Sequence, residues 1–286
     1  MTRADWPLKN LSRQVRCRPH DWHVQDTGVG PTLLLLHGAG ASTHSWRRMI
    51  PELARDHHVV AIDLPGHGST RLGNRHRSGL EQIAADVASL CAQEGWNPTA
   101  YVAHSAGAPI ALRLSQKSGD TPVFAINPAL MPFDGMAGVM FPIVARTLTF
   151  APFAVDAITR FGATRARTEK LLVGTGSRPS EEDIDLYQSL FSDRAHVDGT
   201  LLMMAQWKLD GLLADLPRMG MPALFLTGAS DKTVPPRVAA EAAGKMMRGQ
   251  VIDLRDQGHL LHEADPIGTA RHLRNWLSGL SATTNP

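Results

Sequence analysis

Short apolar runs alternating with helical stretches constrain what this chain can fold into more than any other feature. Residues 32–37 (Thr-Leu-Leu-Leu-Leu-His), 58–63 (His-Val-Val-Ala-Ile-Asp), 100–104 and 123–126 read as buried strands, apolar nearly throughout rather than alternating. Continuous runs of this kind suit strands covered on both faces. Between them, residues 45–54, 79–94 and 106–117 read as helices. In the second of these, Ile83, Val87, Leu90 and Cys91 recur at helical spacing. An opening hairpin is expected from residues 12–18 and 21–25, joined through Arg18-Pro19-His20. Alternation of strand and helix predicts an α/β fold with a doubly wound, mostly parallel sheet. In such sheets chemistry gathers at the carboxyl ends of the strands, where the glycine-rich turns of this chain fall.

The alternation stops after residue 127 and resumes at 223–227, followed by a helix at 237–247, a strand at 250–254 and a final helix. That last helix opens with Asp265 as N-cap and Pro266 at its first position. The intervening stretch has helical pieces broken at Pro152, 174–176, Pro179 and Pro217, and is too long for a loop. The expected organisation is therefore a core of residues 1–127 and 222–286, with a helical cap of residues 128–221 over the carboxyl edge.

Ser105 lies between the strand ending at His104 and the helix beginning at Ala106. A serine on such a turn projects its hydroxyl out of the sheet, and only small residues fit two positions either side, here Ala103 and Gly107. The plain alternative is a helix N-cap serine. A serine hydroxyl needs a base to act as a nucleophile, and in this arrangement the acid and base follow from later strand ends in the order Ser, Asp, His. Asp231 lies just beyond the 223–227 strand, and His259 just beyond the last strand. His262 and Asp134 are the reserve base and acid. Two backbone N–H donors must meet the oxyanion of an acyl intermediate, each worth roughly 3 kcal/mol. Ala106 and Ala39, the latter in the His37-Gly38-Ala39-Gly40 turn, are the expected donors. This turn lacks the third glycine of a dinucleotide site and the lysine of a P-loop.

Met136, Met140, Phe141, Phe150 and Phe153 lie in a nearly all-apolar cap stretch. With His104 they are the candidate substrate contacts. As a membrane span the stretch is interrupted by Pro142, Arg146 and Pro152, so packing within the cap is preferred to membrane contact through it. Arg160, Arg165, Arg167 and Lys170 form a basic run that suits either a solvated helix face or a carboxylated ligand.

The formal charge of +2 in 286 residues gives no basic stripe for nucleic acid. Two cysteines and 13 histidines show no metal-ligand spacing, so neither metal nor cofactor is expected. The thiols read as free, and the N-terminus has no apolar signal region, which points to the cytoplasm.

The motifs His37-Gly-Ala-Gly40, Asp63-Leu-Pro-Gly-His-Gly68, His104-Ser-Ala-Gly107, Gly228-Ala-Ser-Asp231 and Gly258-His259 fall in order along nearly the whole chain. On them the chain resembles the α/β-hydrolase superfamily, although Ala103 stands where that family usually has glycine. Within it, the stretches 33–46, 174–178 (Gly-Thr-Gly-Ser-Arg) and 203–207 (Met-Met-Ala-Gln-Trp) resemble the magnesium-chelatase accessory proteins of bacteriochlorophyll biosynthesis. The resemblance implies a serine hydrolase with Ser105, Asp231 and His259 as its triad. It also implies a bulky apolar ester-like substrate, with a porphyrin as the candidate, and magnesium-chelatase subunits as candidate partners. Two other functions compete: a tetrapyrrole- or chelatase-binding module with an idle triad, and a general carboxylesterase or carbon–carbon bond hydrolase. Serine at position 105 disfavours chemistry that needs a carboxylate nucleophile.

Overall fold

The structure, a computed structural model, describes residues 6–131, 155–156, 159 and 163–284. Eight strands form one sheet in the order β1-β2-β4-β3-β5-β6-β7-β8. The hairpin β1 (Ser12–Cys17) and β2 (His20–Thr27) is antiparallel, and β2 meets β4 (His58–Ile62) antiparallel. The remaining strands, β3 (Thr32–Leu36), β5 (Pro98–His104), β6 (Val123–Ile126), β7 (Ala223–Gly228) and β8 (Gly249–Leu254), run parallel to β4 and to each other. The chain passes from β3 outward to β4, then returns to place β5 on the other side of β3. That reversal opens a crevice at the carboxyl ends of β3 and β5. Register aligns these ends: Leu36 pairs with Ile62 and Ala103, and His104 with Ile126.

Both sheet faces are buried, as the unbroken apolar runs demand. Leu34, Leu36, Val60, Ile62 and Tyr101 pack beneath α2 (Leu80–Glu94) and α3 (Gly107–Lys117). Leu33, Leu35, Val59 and Val102 pack on the opposite face with Trp46, Met49, Leu53 and Leu273. Each such leucine contributes roughly 1.5–3 kcal/mol by leaving water.

The expected helix at 45–54 is instead a 3-10 turn, Thr43–Trp46, followed by the short α1, Ile50–Leu53. Ser42 caps the first piece by accepting from the His44 N–H, and Asp63 holds the Thr43 N–H at 2.6 Å. Pro51 has no N–H to continue a helix from the residues before it, and it starts a new one.

Between β6 and β7 the described residues form α4 (Arg165–Gly174), α5 (Glu181–Phe191), α6 (Arg194–Gln206) and α7 (Asp210–Asp215). A capping box of Ser180 and Asp183 starts α5. Helix α6 seats on the turn after β4 so closely that a Cβ on Gly199 would lie 2.2 Å from the Gly66 carbonyl. Arg75 pairs with Asp198, and Arg47 holds Glu182 and Asp183 of α5. In the basic run, Arg165 pairs with Glu181 and Asp185, so that side chain spans α4 and α5. Helices α8 (Arg237–Lys245), α9 (Leu261–Ala264) and α10 (Pro266–Thr284) complete the chain. Asp265 caps α10, taking the Gly268 N–H at 2.9 Å. No helix among the described residues is long and apolar enough to cross a membrane.

Candidate active site

Ser105 follows β5 directly and has a φ of 50°, a left-handed conformation that costs a serine on the order of 1–2 kcal/mol. Backbone bonds hold it there. Its N–H donates to Ile126 (3.0 Å), and its carbonyl accepts from Ala108 and Ala129, both at 3.1 Å. Gly107 must lack a side chain, because a Cβ there would lie 2.3 Å from the Leu36 carbonyl and 2.8 Å from that of His37. Ala103 is fully buried between Leu36 and Ala125, and the chain accommodates its methyl.

The structure brings Ser105, His259 and Asp231 together. His259 Nδ1 lies 2.7 Å from Asp231 Oδ2, and its Nε2 lies 3.1 Å from Ser105 Oγ. The other Asp231 oxygen accepts from the N–H groups of Thr233 (2.7 Å) and Val234 (2.9 Å). An acceptor-only carboxylate at Nδ1 makes that nitrogen the protonated one. Nε2 is then free to accept the serine hydroxyl proton. All three residues are buried.

The turn after β3 is locked from below. His37 Nε2 accepts the Leu64 N–H at 2.9 Å, so Nδ1 carries the proton and donates to the Gly38 carbonyl at 2.8 Å. Burial pushes the His37 pKa down, keeping the ring neutral. The Ala41 N–H also donates to that carbonyl. In a planar trans peptide, fixing the Gly38 carbonyl fixes the Ala39 N–H pointing away from His37. Gly38 lies against Ser105, where a Cβ would come within 3.0 Å of Ser105 Cβ and 2.9 Å of His104 Nδ1. Among the described residues, no acceptor takes the Ala39 or Ala106 N–H.

His104 lies behind His259. It is 2% exposed, its Nε2 donates to the His259 carbonyl at 3.0 Å, and its ring stacks between His259 and His262. His262 packs on Trp46, and burial lowers its pKa to about 3. Asp134, Met136, Met140, Phe141, Phe150 and Phe153 lie outside the described residues.

Sequence reading missed Asn127. It has a φ of 44°, and its amide nitrogen donates to the carbonyls of Gly258 (3.0 Å) and His259 (2.8 Å). Its amide oxygen accepts from the Gly228 N–H at 2.8 Å. One side chain thus ties the ends of β6 and β7 to the histidine loop. The available signal was a lone asparagine directly after a buried strand, a residue type that tolerates left-handed backbone.

A cavity of about 340 Å³ adjoins the turn at Ala39 and Gly40. Its walls are mainly apolar, with Phe191, Leu201 and Met204 among them, and His196 also faces it. His196 Nδ1 accepts the Gly68 N–H (3.0 Å), so Nε2 donates to the Gly40 carbonyl (3.1 Å). Burial lowers its pKa to about 4. Helix α6 is thereby pinned to the same turn that carries Ala39.

A model of the alpha/beta hydrolase family matches residues 33–272. The magnesium-chelatase 30 kDa subunit of Rhodobacter capsulatus is 43% identical over 278 residues, covering 96% of this chain and 98% of that protein. A pimeloyl-(acyl-carrier protein) methyl ester esterase of Stenotrophomonas maltophilia (strain R551-3) is 27% identical over 266 residues, 91% of this chain and 97% of that one. Among solved structures, an alpha/beta hydrolase fold protein from Burkholderia ambifaria superposes with a TM-score of 0.77 at 21% identity. That match covers 92% of this chain and 97% of the other.

Proposed function

This chain belongs to the alpha/beta hydrolase family, and from that premise we propose that it is a serine hydrolase cleaving an ester bond in a substrate with a bulky apolar part. The observation that carries the reading is the unbroken relay from Ser105 Oγ through His259 to Asp231. Ser105 Oγ forms a bond to the ester carbonyl carbon while its proton passes to His259 Nε2. The carbonyl oxygen takes the negative charge and is met by the Ala39 and Ala106 N–H groups. The C–O bond to the alcohol then breaks, and His259 returns its proton to the departing oxygen. Water repeats the sequence on the acyl-serine, releasing the acid and restoring Ser105. Asp231 keeps the Nδ1 tautomer and offsets the imidazolium charge. The apolar cavity at Ala39 supports an apolar arm on the ester, and its volume falls in the range of about 300–1,000 Å³ usual for small-molecule sites.

The relative named as a magnesium-chelatase subunit favours an ester carried by a porphyrin as the substrate. The same name favours a second reading, a chelatase-associated protein that works by binding. Pre-steady-state hydrolysis of a chromogenic ester tests the first against the second. A serine hydrolase gives a burst of about one alcohol per chain when deacylation is slow, and Ser105→Ala abolishes it. Equal rates for the variant and wild type would remove Ser105 from the chemistry and leave the binding reading.

A further inference from the structure

The stretch Gly174-Thr175-Gly176-Ser177-Arg178 links α4 to α5 and takes no part in the chemistry above. Its middle three residues nonetheless touch the immediate neighbours of both Asp231 and His259. On the acid side, the Thr175 carbonyl accepts the Lys232 N–H at 3.1 Å, and a Cβ on Gly176 would lie 1.9 Å from the Ser230 carbonyl. On the base side, Ser177 Oγ accepts the Leu260 N–H at 2.9 Å, and a Cβ on Gly258 would lie 2.2 Å from the Gly176 carbonyl. Residues 230 and 232 flank the acid, while 258 and 260 flank the base. Gly176 has a φ of +82°, so both its conformation and its contacts require glycine. Ser177 is buried, and its hydroxyl lies 2.9 Å from Thr175 Oγ1, which itself donates to Leu172 at 2.6 Å. The linker is thus fastened to the end of α4 and wedged between the two loops.

We propose that Gly176 and Ser177 are positioning residues for the acid–base pair, so that the segment between β6 and β7 assembles the triad as well as covering it. The proposal rests on the serine-hydrolase reading. The 2.7 Å contact from His259 to Asp231 spans two separate loops. Those loops share backbone contact where Ser230 donates to Gln257 (2.8 Å) and Ala229 to Leu254. The linker adds a third surface that holds both at once. Displacement of a reacting group by about 1 Å costs up to about 100-fold in rate, and loss of the linker's hold acts through such a displacement.

The test uses the full chain with Ser177→Ala and Gly176→Ala. The first removes the acceptor for Leu260, and the second drives a methyl into Ser230. Two readouts are taken: steady-state hydrolysis of a chromogenic ester, and the downfield proton-NMR resonance of the hydrogen shared by His259 and Asp231. The expected result for Ser177→Ala is a kcat lower by about 10- to 100-fold, KM within about twofold, and a shifted or broadened resonance. Where Gly176→Ala does not fold, Ser177→Ala carries the test alone. A folded Ser177→Ala protein with wild-type resonance and kcat overturns the proposal, even if it melts at a lower temperature. Should wild type show the resonance but hydrolyse no ester, the hydrolase reading fails while the resonance in Ser177→Ala still judges the positioning role.

Discussion

The two halves of the proposed site are built differently. The nucleophile half takes Ser105 and the 37–40 turn from the ends of β5 and β3, which pair in the sheet. Its geometry comes mainly from close backbone contacts: the φ of Ser105 held by Ile126 and Ala129, the missing Cβ at Gly107 against the Leu36 carbonyl, and the His37 bond to Gly38. The acid–base half takes Asp231 and His259 from loops after β7 and β8. It depends on long-range ties, from Asn127 at the end of β6 and from residues 175–177. A turn held by backbone bonds to the neighbouring strands takes its geometry from the sheet. Two loops that must meet need a third party.

This comparison predicts where mutation hurts. The largest effect is expected at Asn127, whose side chain makes three buried hydrogen bonds. Asn127→Gly keeps the left-handed backbone but strands those partners. Ester kcat should fall by about 10- to 100-fold and stability by about 2–4 kcal/mol, read from kinetics and urea melts. A wild-type kcat in this variant would mean that the acid–base half needs no outside tie.

A smaller loss is expected in the nucleophile half when His37 is replaced. His37→Leu frees the Gly38–Ala39 peptide plane, which the Ala41 N–H still partly holds. Removing an oxyanion donor outright costs about 100- to 1,000-fold, so loosening one should cost about tenfold in kcat with KM little changed. Equal losses in kcat from His37→Leu and Asn127→Gly would erase the distinction between the halves.

The smallest effect concerns how α5 is attached. Glu263, just beyond the histidine loop, accepts from Tyr187 of α5 (2.8 Å) and faces Arg47. Burial raises its pKa from 4.5 to about 7, with Asp183 adding to the rise and Arg47 and Tyr187 opposing it. Between those values the folded chain binds the proton more tightly than the unfolded chain does, so this group's contribution to stability falls as pH rises from about 4.5 to 7. Buried His196 and His262 act in the opposite sense. Their folded pKa values, about 4 and about 3, lie below 6.5, so their contribution is lost as pH drops below 6.5. Comparing Glu263→Gln with wild type cancels the histidines. The melting temperature of the variant relative to wild type should rise between pH 5 and pH 7 and then level off. A difference that is flat with pH would mean that Glu263 is already ionised at pH 5.

The same contrast explains what was legible in the sequence. The strand-to-helix turn at Ser105 was readable because strand, turn and small residues are contiguous there. The meeting of Asp231 and His259 was readable because each lies in the loop just beyond a strand end. Asn127 carries no local pattern, and Ser177 lies in a stretch, 174–178, that the resemblance marks without giving it a role, since an asparagine after a strand and a serine in a linker acquire meaning only when distant loops converge on them. His104 read as a substrate contact from its place beside Ser105. Its side chain follows the sheet's alternation into the interior and bonds to the His259 carbonyl instead. The helix expected at 45–54 splits before Ile50, with Asp63 holding the start of the 3-10 turn at Thr43 and Pro51 opening α1.

The most direct test is covalent labelling with a fluorophosphonate, wild type beside Ser105→Ala, with the labelled peptide identified by mass spectrometry. An activated serine predicts about one label per chain, on Ser105, absent from the variant. Folded wild-type protein that takes no label, or takes it at a residue other than Ser105, would contradict a working Ser105–His259–Asp231 relay.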